Sequence, residues 1–570
     1  MARTNRDGPP SVTPDLPDTP ALRPAALATA ALFAFVVLVN GISAPFQKDQ
    51  EPQSAEWIQS IARDGHWLIP ADAYGSTDRK PPLFYWLSAL IAKTTGGNVD
   101  EVRARAVSVV AGTALAVAVL AWTATNVGAA EGWLAFLFML GTYGFASRAT
   151  EALTDMLLTF LLFAAYSTIY PLLDVPSHTT VSPRRKILIG AMLGLAILTK
   201  GPVAIVLCAL ALTIYLLMER RNPIALLGER WPWQIVAIAI AIGAIWYVPA
   251  TLVGGHKILR IIFAENFGHF MPAGLGGTGE SYRPFYYIGA RLLGGAFPMT
   301  LLILPAALAF YTGEIATEKR RAVIYQMSMS LAVLLFFSIA SVKRDDYILP
   351  AIPGIAILCA SVFTLELSGA AAKLRDVIVA LFVLSPIWAF LFFKFFLSHA
   401  HLNLQSSDAA YYSIVRASVA TLIRGVIVFW VGWLAALATA VIALIRRSAI
   451  AKGAAFGVAA LSFSMFATAS MRPILAARRS VKSFVPLVAD HVKSDQLCIP
   501  SGINYELSYY YGAAVPDIKN PKCAYLIATP REIDSMPPEY RARLKLVAQS
   551  NLIGGGGPPA LFEISPEAAK

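Results

Sequence analysis

The sequence PAALATAALFAFVVLVNGISA, from Pro24 to Ala44, is followed a few residues later by a short charged stretch, Lys48-Asp49-Gln50-Glu51. The apolar run is long enough to cross a bilayer as a helix, which takes roughly 20 residues. It is longer than the apolar region of a signal peptide, and no small-residue cleavage site follows it, so we interpret it as a retained helix. The charged stretch is therefore expected at a membrane surface.

The composition indicates an integral membrane protein. Of the 570 residues, 56% are hydrophobic and 14% are charged, whereas soluble domains carry roughly 25% charged residues. The net charge of +12 would suggest a nucleic-acid partner in a soluble protein. Here the basic residues collect in short loops between apolar runs, where they set the orientation of the chain. We therefore exclude nucleic acid as a partner.

Apolar runs recur up to residue 469 and predict about thirteen transmembrane helices, among them 233–252 and 285–311. Residues 1–23 are rich in Pro, Thr and Asp and predict a disordered cytoplasmic tail. Residues 24–470 form the predicted transmembrane domain, with 45–105 as its first outer loop, and 471–570 form a small soluble α/β domain. The expected fold is an all-α polytopic membrane protein with a C-terminal α/β domain.

The loops fit one orientation. With the N-terminus inside, five basic loops fall on the cytoplasmic side, as the positive-inside rule requires. They contain Arg184 to Lys186, Arg220 and Arg221, Lys319 to Arg321, Lys373 and Arg375, and Arg446 and Arg447. The C-terminal domain is then outside, where Cys498 and Cys523 could pair. Cys208 and Cys359 lie in apolar runs and are predicted to be small core residues.

The remaining charges fall on the outer side of the predicted spans. Charges near a bilayer core usually face a cavity or a partner, so we expect these residues to meet in one outward-facing site. An ordinary interfacial charge that snorkels to the headgroups is the alternative for each of them. The residues are Arg148, Glu151, Asp155, Lys200, Glu265, Arg283, and Lys343 to Asp346 before Tyr347.

The first outer loop contains two predicted amphipathic helices. Ala55, Ile58, Ile61 and Ala62 recur at helical spacing, and this segment is expected to lie along the membrane surface. Pro81-Pro82 then begins a second helix. Its aromatic residues Phe84, Tyr85 and Trp86 predict a belt at the membrane interface.

Several motifs in a fixed order carry a resemblance to a known family. They are the acidic stretch of the first outer loop, Gly65 to Pro70, Lys80 to Trp86, Leu198 to Pro202, Glu265 to Phe267, and Lys343 to Pro350. Over residues 24–469 the chain resembles the GT-C superfamily of polyprenyl-phosphate-sugar glycosyltransferases. Within it, the sequence is similar to aminoarabinose lipid A transferases and bacterial enzymes like protein O-mannosyltransferases. The C-terminal domain resembles theirs only in position and size.

The resemblance implies an inverting transfer at the periplasmic face of the bacterial inner membrane. An acceptor oxygen attacks the anomeric carbon, a carboxylate takes its proton, and cations stabilise the departing polyprenyl phosphate. Asp49 or Glu51 is the expected base, because the family's acidic pair falls on Gln50-Glu51 and Gln50 replaces its usual Asp. Asp155 matches the second acidic position. The expected substrate-binding residues are Arg79, Lys80, Arg148, Lys200, Glu265, Arg283, Lys343, Arg344 and Tyr347.

Two further questions stay open at this stage. Some relatives hold a divalent metal with Glu and His, but this chain has Arg79 and Asn266 at those positions, so a metal is doubtful and no other cofactor is implied. The alternative function is a transporter or flippase for a lipid-linked or amphipathic substrate. It would predict polar residues spread through the spans and internal repeats, neither of which is evident. The sequence does not choose the sugar, or an acceptor among lipid A, a glycan and a protein.

Overall fold

The computed structural model describes residues 22–46, 50–77, 80–174, 181–267, 283–312, 317–365, 367, 369–387, 419–492, 494–552 and 557–565. Two predicted site residues, Asp49 and Arg79, lie outside these ranges, as does nearly all of the predicted N-terminal tail.

The described part of residues 22–479 is built from helices. Besides α-helices, this part contains a π-helical turn, Ala467–Met471, and a 3-10 helix, Asp345–Ala351. In chain order the helices are α1 (Pro24–Val39), α2 (Gln50–Asp64), α3 (Leu83–Thr94), α4 (Glu101–Asn126), α5 (Ala129–Leu140), α6 (Tyr143–Ala149), α7 (Asp155–Ile169), α8 (Pro183–Lys200), α9 (Val203–Met218), α10 (Arg230–Phe267), α11 (Tyr287–Gly295), α12 (Ile303–Thr312), α13 (Thr317–Ile339), α14 (Ile352–Ser361), α15 (Gly369–Val383), α16 (Val419–Ile445), α17 (Ala449–Phe466) and α18 (Arg472–Arg479).

Within the described ranges, six helices are long and apolar enough to cross a membrane. A seventh crossing results if Tyr287–Gly295 and Met299–Phe310, which are bent by 104°, form one span. Four shorter apolar helices, α1, α3, α5 and α9, accompany them. The chain is therefore a multi-pass membrane protein, and its mostly helical architecture agrees with the predicted class.

Two predicted spans differ from the structure. The apolar run 285–311 was expected to be one helix, but it is broken between Gly295 and Met299. Pro298 lies in this break and has no amide hydrogen to continue a helix. The run 233–252 is part of the longer α10, whose helical course is interrupted at Gly255 (φ 55°, ψ −146°). The left-handed φ at this position favours glycine.

The first outer loop folds inward. The predicted amphipathic helix is present as α2, but it packs against α3 and α4, and ten of its residues are buried. Phe84 and Tyr85 on α3 are only 0% and 1% exposed, and Trp57 of α2 contacts Tyr85 edge to face at 5.5 Å. The prediction that these two aromatics form an interfacial belt is wrong, because α2 covers them.

Residues 485–565 contain a four-stranded sheet and short helices. The strands are β1 (Leu497–Cys498), β2 (Tyr525–Ala528), β3 (Leu544–Gln549) and β4 (Ala560–Ile564), in the order β1-β2-β4-β3. β1 runs parallel to β2, and the other neighbours are antiparallel. The helices are α19 (Val485–Ala489), α20 (Tyr505–Tyr511), α21 (Pro530–Asp534) and α22 (Pro538–Arg541). Cys498 and Cys523 form a disulfide, while Cys208 and Cys359 are free and buried.

Helix α20 connects this sheet region to the membrane helices. The Tyr510 hydroxyl accepts a hydrogen bond from the Phe46 amide at 3.0 Å and donates one to Glu101 Oε1 at 2.8 Å. The Tyr509 hydroxyl donates to the Val99 carbonyl at 2.6 Å, and its ring meets that of Phe46 at 5.1 Å. The C-terminal region therefore holds the chain just after α1, at what we call the site end of the bundle.

Candidate functional site

A cavity of about 310 Å³ opens at the site end of the bundle. Lys80, Lys200, Glu265, Asn266 and Tyr347 line its polar part. The rest of its wall is apolar, contributed mainly by the start of α9 and the end of α13: Pro81, Pro202, Val203, Val206, Phe336, Phe337, Ala340 and Val342. We call it the donor cavity. Its lining suits a ligand with an anionic end and a hydrocarbon chain.

Lys200 is fixed at the end of α8 by the turn that follows it. Gly201 has a φ of 84°, and a Cβ there would lie 2.3 Å from the Asn266 side-chain oxygen, so only glycine fits this turn. The Lys200 ammonium donates a hydrogen bond to Asp155 Oδ1 and lies 3.9 Å from Asp346 Oδ2. It also lies 4.7 Å from the centre of the Tyr347 ring.

Three cations converge on the polar part of this cavity. Burial and the positive charges of Arg344 and Lys200 lower the pKa of Lys80. Arg344 donates from Nε to Asp346 Oδ1 at 3.2 Å, and from Nη2 to the Gln50 side-chain oxygen. Although burial raises the pKa of Asp346, Arg344, Lys200 and Arg148 hold it well below its usual range. The mutual repulsion of the cations would be relieved by an anionic ligand.

Two carboxylate oxygens in this cluster have no hydrogen-bond partner among the described residues. Asp155 and Asp346 are each only 4% exposed, and these oxygens are the Oδ2 atoms of the two side chains. Buried polar atoms are normally satisfied, so these oxygens can accept hydrogen bonds from hydroxyl or ammonium groups of a ligand. They do not fit a divalent metal ion, because the Lys200 ammonium already lies between the two carboxylates.

Glu51 lies in a buried ion pair. Its Oε1 accepts hydrogen bonds from Arg105 Nε at 2.8 Å and from the Ala152 amide at 2.9 Å, and its Oε2 accepts from Arg105 Nη2 at 3.1 Å. Both side chains are 0% exposed. Burial raises the pKa of Glu51, but the charge and hydrogen bonds of Arg105 outweigh it and lower the pKa overall. The carboxylate is thus ionised and has both oxygens occupied.

A second group of charges joins Glu51 to the cations of the site. Arg148 pairs with Glu151 at 2.5 Å. Arg472 lies 3.7 Å from Glu151 and 4.0 Å from Glu51, and donates to the Ser147 carbonyl at 2.9 Å. Charges from α2, α6 and α18 therefore meet within one cluster at the site end.

The structure brings together most of the residues singled out in the sequence. Lys80, Lys200, Glu265 and Tyr347 line the donor cavity, Asp155 bonds to Lys200, and Arg344 pairs with Asp346, which lies 3.9 Å from Lys200. Arg283 and Lys343 differ: the Lys343 ammonium donates to the Arg283 carbonyl at 3.0 Å and also to the Ala340 carbonyl. The Arg283 guanidinium lies 5.4 Å from the Tyr287 ring centre. These two residues do not line the cavity.

Sequence reasoning missed three residues of the site. Asp346 was noted among the outer charges but given no role, and Arg105 and Arg472 were not singled out at all. Arg105 lies near the start of a long apolar run, and Arg472 follows another at its end. An arginine at such a position is often functional or paired, and this signal would have identified both.

Glu56 is a buried carboxyl between α2 and the C-terminal region. The Ser508 hydroxyl of α20 donates to its Oε1, and the Ala73 amide donates to its Oε2 at 3.1 Å. Burial and, to a smaller extent, the nearby Asp72 carboxylate raise the pKa of Glu56 to about 7, against the effect of these two hydrogen bonds. Its protonation is therefore coupled to the contact between these two parts of the chain.

We expect this contact to weaken as the pH rises. The pKa of Glu56 in the folded protein lies above its ordinary value of 4.5, so its stabilising contribution is complete below about pH 4.5 and is lost through about pH 7. A shift of this size corresponds to about 3 kcal/mol. Melting temperatures of wild type and Glu56→Gln over this pH interval test the prediction. The melting temperature should decrease over this interval in wild type and in Asp64→Asn, an exposed control on α2, but not in Glu56→Gln. An equal decrease in Glu56→Gln would contradict the prediction.

Solved structures show which fold this chain adopts. The chain matches the crystal structure of ArnT from Cupriavidus metallidurans bound to undecaprenyl phosphate with a TM-score of 0.70 and 18% identity, over 96% of this chain and 98% of that one. The apo structure of the same protein matches with a TM-score of 0.69. The fold is therefore the GT-C fold that the resemblance predicted.

Sequence relatives point to a particular group. The family model described as dolichyl-phosphate-mannose-protein mannosyltransferase matches residues 79–247. Two relatives are both named undecaprenyl phosphate-alpha-4-amino-4-deoxy-L-arabinose arabinosyl transferase. The one from Enterobacter sp. (strain 638) is 29% identical over 324 residues, 54% of each chain. The one from Pectobacterium carotovorum is 25% identical, over 84% of this chain and 82% of its own. The first matches span about half the relatives' length, and they confirm the resemblance to polyprenyl-phosphate-sugar glycosyltransferases.

Proposed function

We propose that this chain is a glycosyltransferase of the bacterial inner membrane that uses a polyprenyl-phosphate-linked sugar. One observation carries the proposal: Lys80, Lys200 and Arg344 converge where an apolar cavity meets two carboxylates. The likeness to ArnT and to the named arabinosyl transferases supports this function over a transporter. The acceptor is lipid A, another envelope glycan or a protein.

The donor is proposed to occupy the donor cavity. Its hydrocarbon chain would contact Val203, Val206 and Phe337, while its phosphate would lie near Lys80 and Lys200. Lysine suits a phosphate as a compact charge, and Arg344 can present a fork of donors. An anion at this position offsets the repulsion that lowers the pKa of Lys80, which is a physical reason for the site to prefer a charged lipid.

The proposed reaction is a displacement at the anomeric carbon with inversion. The acceptor oxygen attacks, the bond from the anomeric carbon to the phosphate oxygen breaks, and polyprenyl phosphate leaves with the bonding electrons. Lys80, Lys200 and Arg344 stabilise the charge that grows on the leaving phosphate. A carboxylate takes the proton of the acceptor. The free oxygens of Asp155 and Asp346 accept hydrogen bonds from the sugar or the acceptor.

The bonding of Glu51 favours a positioning role over that of base. It accepts three hydrogen bonds from Arg105 and the Ala152 amide, and, against the effect of burial, its pKa is lowered by Arg105, so it is a weak proton acceptor. We propose Asp155, with one free oxygen beside Lys200, as the base. Asp49, the other expected base, lies outside the described residues.

The proposed topology is that of the sequence prediction. About thirteen helices cross the membrane, the N-terminus is cytoplasmic, and residues 471–570 form a periplasmic domain. The site end then faces the periplasm. The run of basic loops at the opposite side of the predicted spans supports this orientation.

Mass spectrometry of the envelope tests the proposed function. We would compare lipid A, other glycans and proteins from cells lacking this protein with cells complemented by wild type, Lys200→Ala or Lys186→Ala. Lys186 lies at the other end of α8, where it donates to Gln234, and is the matched control. A sugar-sized mass should disappear on deletion and return with wild type and Lys186→Ala but not with Lys200→Ala. An unchanged envelope on deletion would favour the transporter.

A further inference from the structure

A second cavity, of about 410 Å³, lies at the site end between α1, α16 and the π-helical turn. We call it the Arg424 cavity. Its polar lining comes from Arg424, Asn40 and Ser470, and apolar lining is contributed by Ile427, Val428 and Met465. None of these residues lines the donor cavity, so the two cavities are separate.

Helix α16 faces lipid. Only 17% of the most apolar 18-residue stretch of Ile423–Ile445 is buried in the protein. Ile427, within this span, is 55% exposed. Arg424 is the sixth residue of α16 (Val419–Ile445), close enough to its N-terminal end for the long side chain to reach the lipid headgroups. Arg472, two residues after Ser470, bonds to the Ser147 carbonyl at 2.9 Å, so this end of α16 is the end that carries the catalytic site.

Two of the three polar side chains that line this cavity have no partner among the described residues, whereas the third, Asn40, donates to the Val36 carbonyl. Within the described ranges, neither the Arg424 guanidinium nor the Ser470 hydroxyl makes a hydrogen bond or an ion pair. Ser470 is only 2% exposed, and a buried hydroxyl is normally hydrogen-bonded. A guanidinium offers five N–H donors and no acceptor. The cavity thus presents hydrogen-bond donors from Arg424 of α16 and Ser470 of the π-helical turn, which suit a ligand with acceptor oxygens.

The close packing that creates this arrangement depends on one glycine. A Cβ on Gly425 would lie 1.8 Å from the Ser470 Oγ atom, so a larger residue would push α16 away from the π-helical turn. Single π-helical turns inside helices are frequent at functional sites. Gly425 and the turn Ala467–Met471 therefore bring Arg424 and Ser470 to the same cavity.

We propose that the Arg424 cavity binds the phosphate of a membrane phospholipid from the leaflet at the site end. The guanidinium of Arg424 and the hydroxyl of Ser470 donate to the phosphate oxygens, and Ile427, Val428 and Met465 contact the upper acyl chain. Arginine is suited to this role because its planar fork matches phosphate geometry. The inference does not depend on the proposed transferase activity, since it uses another cavity.

Binding of short-chain lipids to the purified full-length protein in detergent tests this proposal. The probes are dioctanoyl phosphatidylglycerol, dioctanoylglycerol, which lacks the phosphate, and inorganic phosphate; bound molecules are counted by native mass spectrometry. Phosphatidylglycerol should bind wild type, and its affinity should fall about tenfold in Arg424→Ala and less in Ser470→Ala and Arg424→Lys. Arg446→Ala, at the far end of α16, is the charge-matched control.

Each other outcome overturns the proposal. Equal affinities for Arg424→Ala and Arg446→Ala would mean that Arg424 is only an interfacial charge that reaches the headgroups. Equal binding of dioctanoylglycerol would show that the phosphate is not recognised. Binding of inorganic phosphate as tight as that of the lipid would make the cavity an anion site. If Arg424→Ala does not fold, unchanged affinity in both Ser470→Ala and Arg424→Lys overturns it.

Discussion

Replacing Asp155 by Asn is expected to slow sugar transfer by about 10²- to 10⁴-fold, the usual contribution of a positioned acid or base. The substitution keeps the shape of the side chain but removes the carboxylate that pairs with Lys200. Donor binding should change little, because Lys80, Lys200 and Arg344 remain. The measurement is single-turnover transfer by the purified protein, together with a separate titration of the donor.

Asp345→Asn is the matched control for this prediction. Asp345 lies next to Asp346, but its carboxylate is half exposed and pairs with Arg291 at 2.6 Å outside the donor cavity. Transfer by this variant should stay near the wild-type rate. Near-normal transfer by Asp155→Asn would remove Asp155 from the reaction and leave Asp49 as the remaining expected base.

Replacing Glu51 by Gln is expected to destabilise the fold by about 3–5 kcal/mol, as when one partner of a buried ion pair is removed. The Arg105 guanidinium is 0% exposed and would be left without its counter-charge. Unfolding of the purified protein, followed by heat or denaturant, measures the loss. Asp100→Asn is the control: Asp100 forms a partly exposed pair with Arg103, and such pairs contribute about 0–1 kcal/mol.

The same Glu51→Gln variant separates positioning from catalysis. Transfer per folded molecule should persist, because the pairing of Glu51 with Arg105 and the Ala152 amide makes its carboxylate a weak proton acceptor. A Glu51→Gln variant with wild-type stability and no transfer would contradict the positioning role. Glu51 would then be the base, as the sequence resemblance implied.

The sequence predicted membrane helices well and their packing poorly. Long apolar runs are a direct consequence of the bilayer, so α4, α13 and α16 were evident from hydropathy. The burial of Phe84 and Tyr85 could not be predicted from hydropathy, because an aromatic helix has the same sequence pattern whether it faces lipid or another part of the protein. The break near Pro298 was also missed, since apolar residues continue on both sides of it.

For the candidate site, the sequence supplied the cations of the donor cavity, but it supplied neither Arg105 and Arg472 nor the ion pairs of Glu51. Lys80, Lys200 and Arg344 were conspicuous as charges beside apolar runs, and the structure gathers them at one cavity. Pattern alone did not reveal that Glu51 pairs with Arg105, 54 positions away. Ion pairs between distant residues depend on how helices pack, which a single sequence does not state.

The bond between Tyr510 and Phe46 joins residues 464 positions apart, and this separation bears on the biogenesis of the protein. A ribosome completes α1 long before it reaches α20, so the hydrogen bond from the Phe46 amide can form only after α20 has been synthesised. Domains generally fold as units, N-terminal ones first. Here, however, the chain just after α1 is held by a residue of α20. We therefore expect the packing at the site end to be completed only after α20 has been synthesised, so that a chain truncated before α20 would lack this contact.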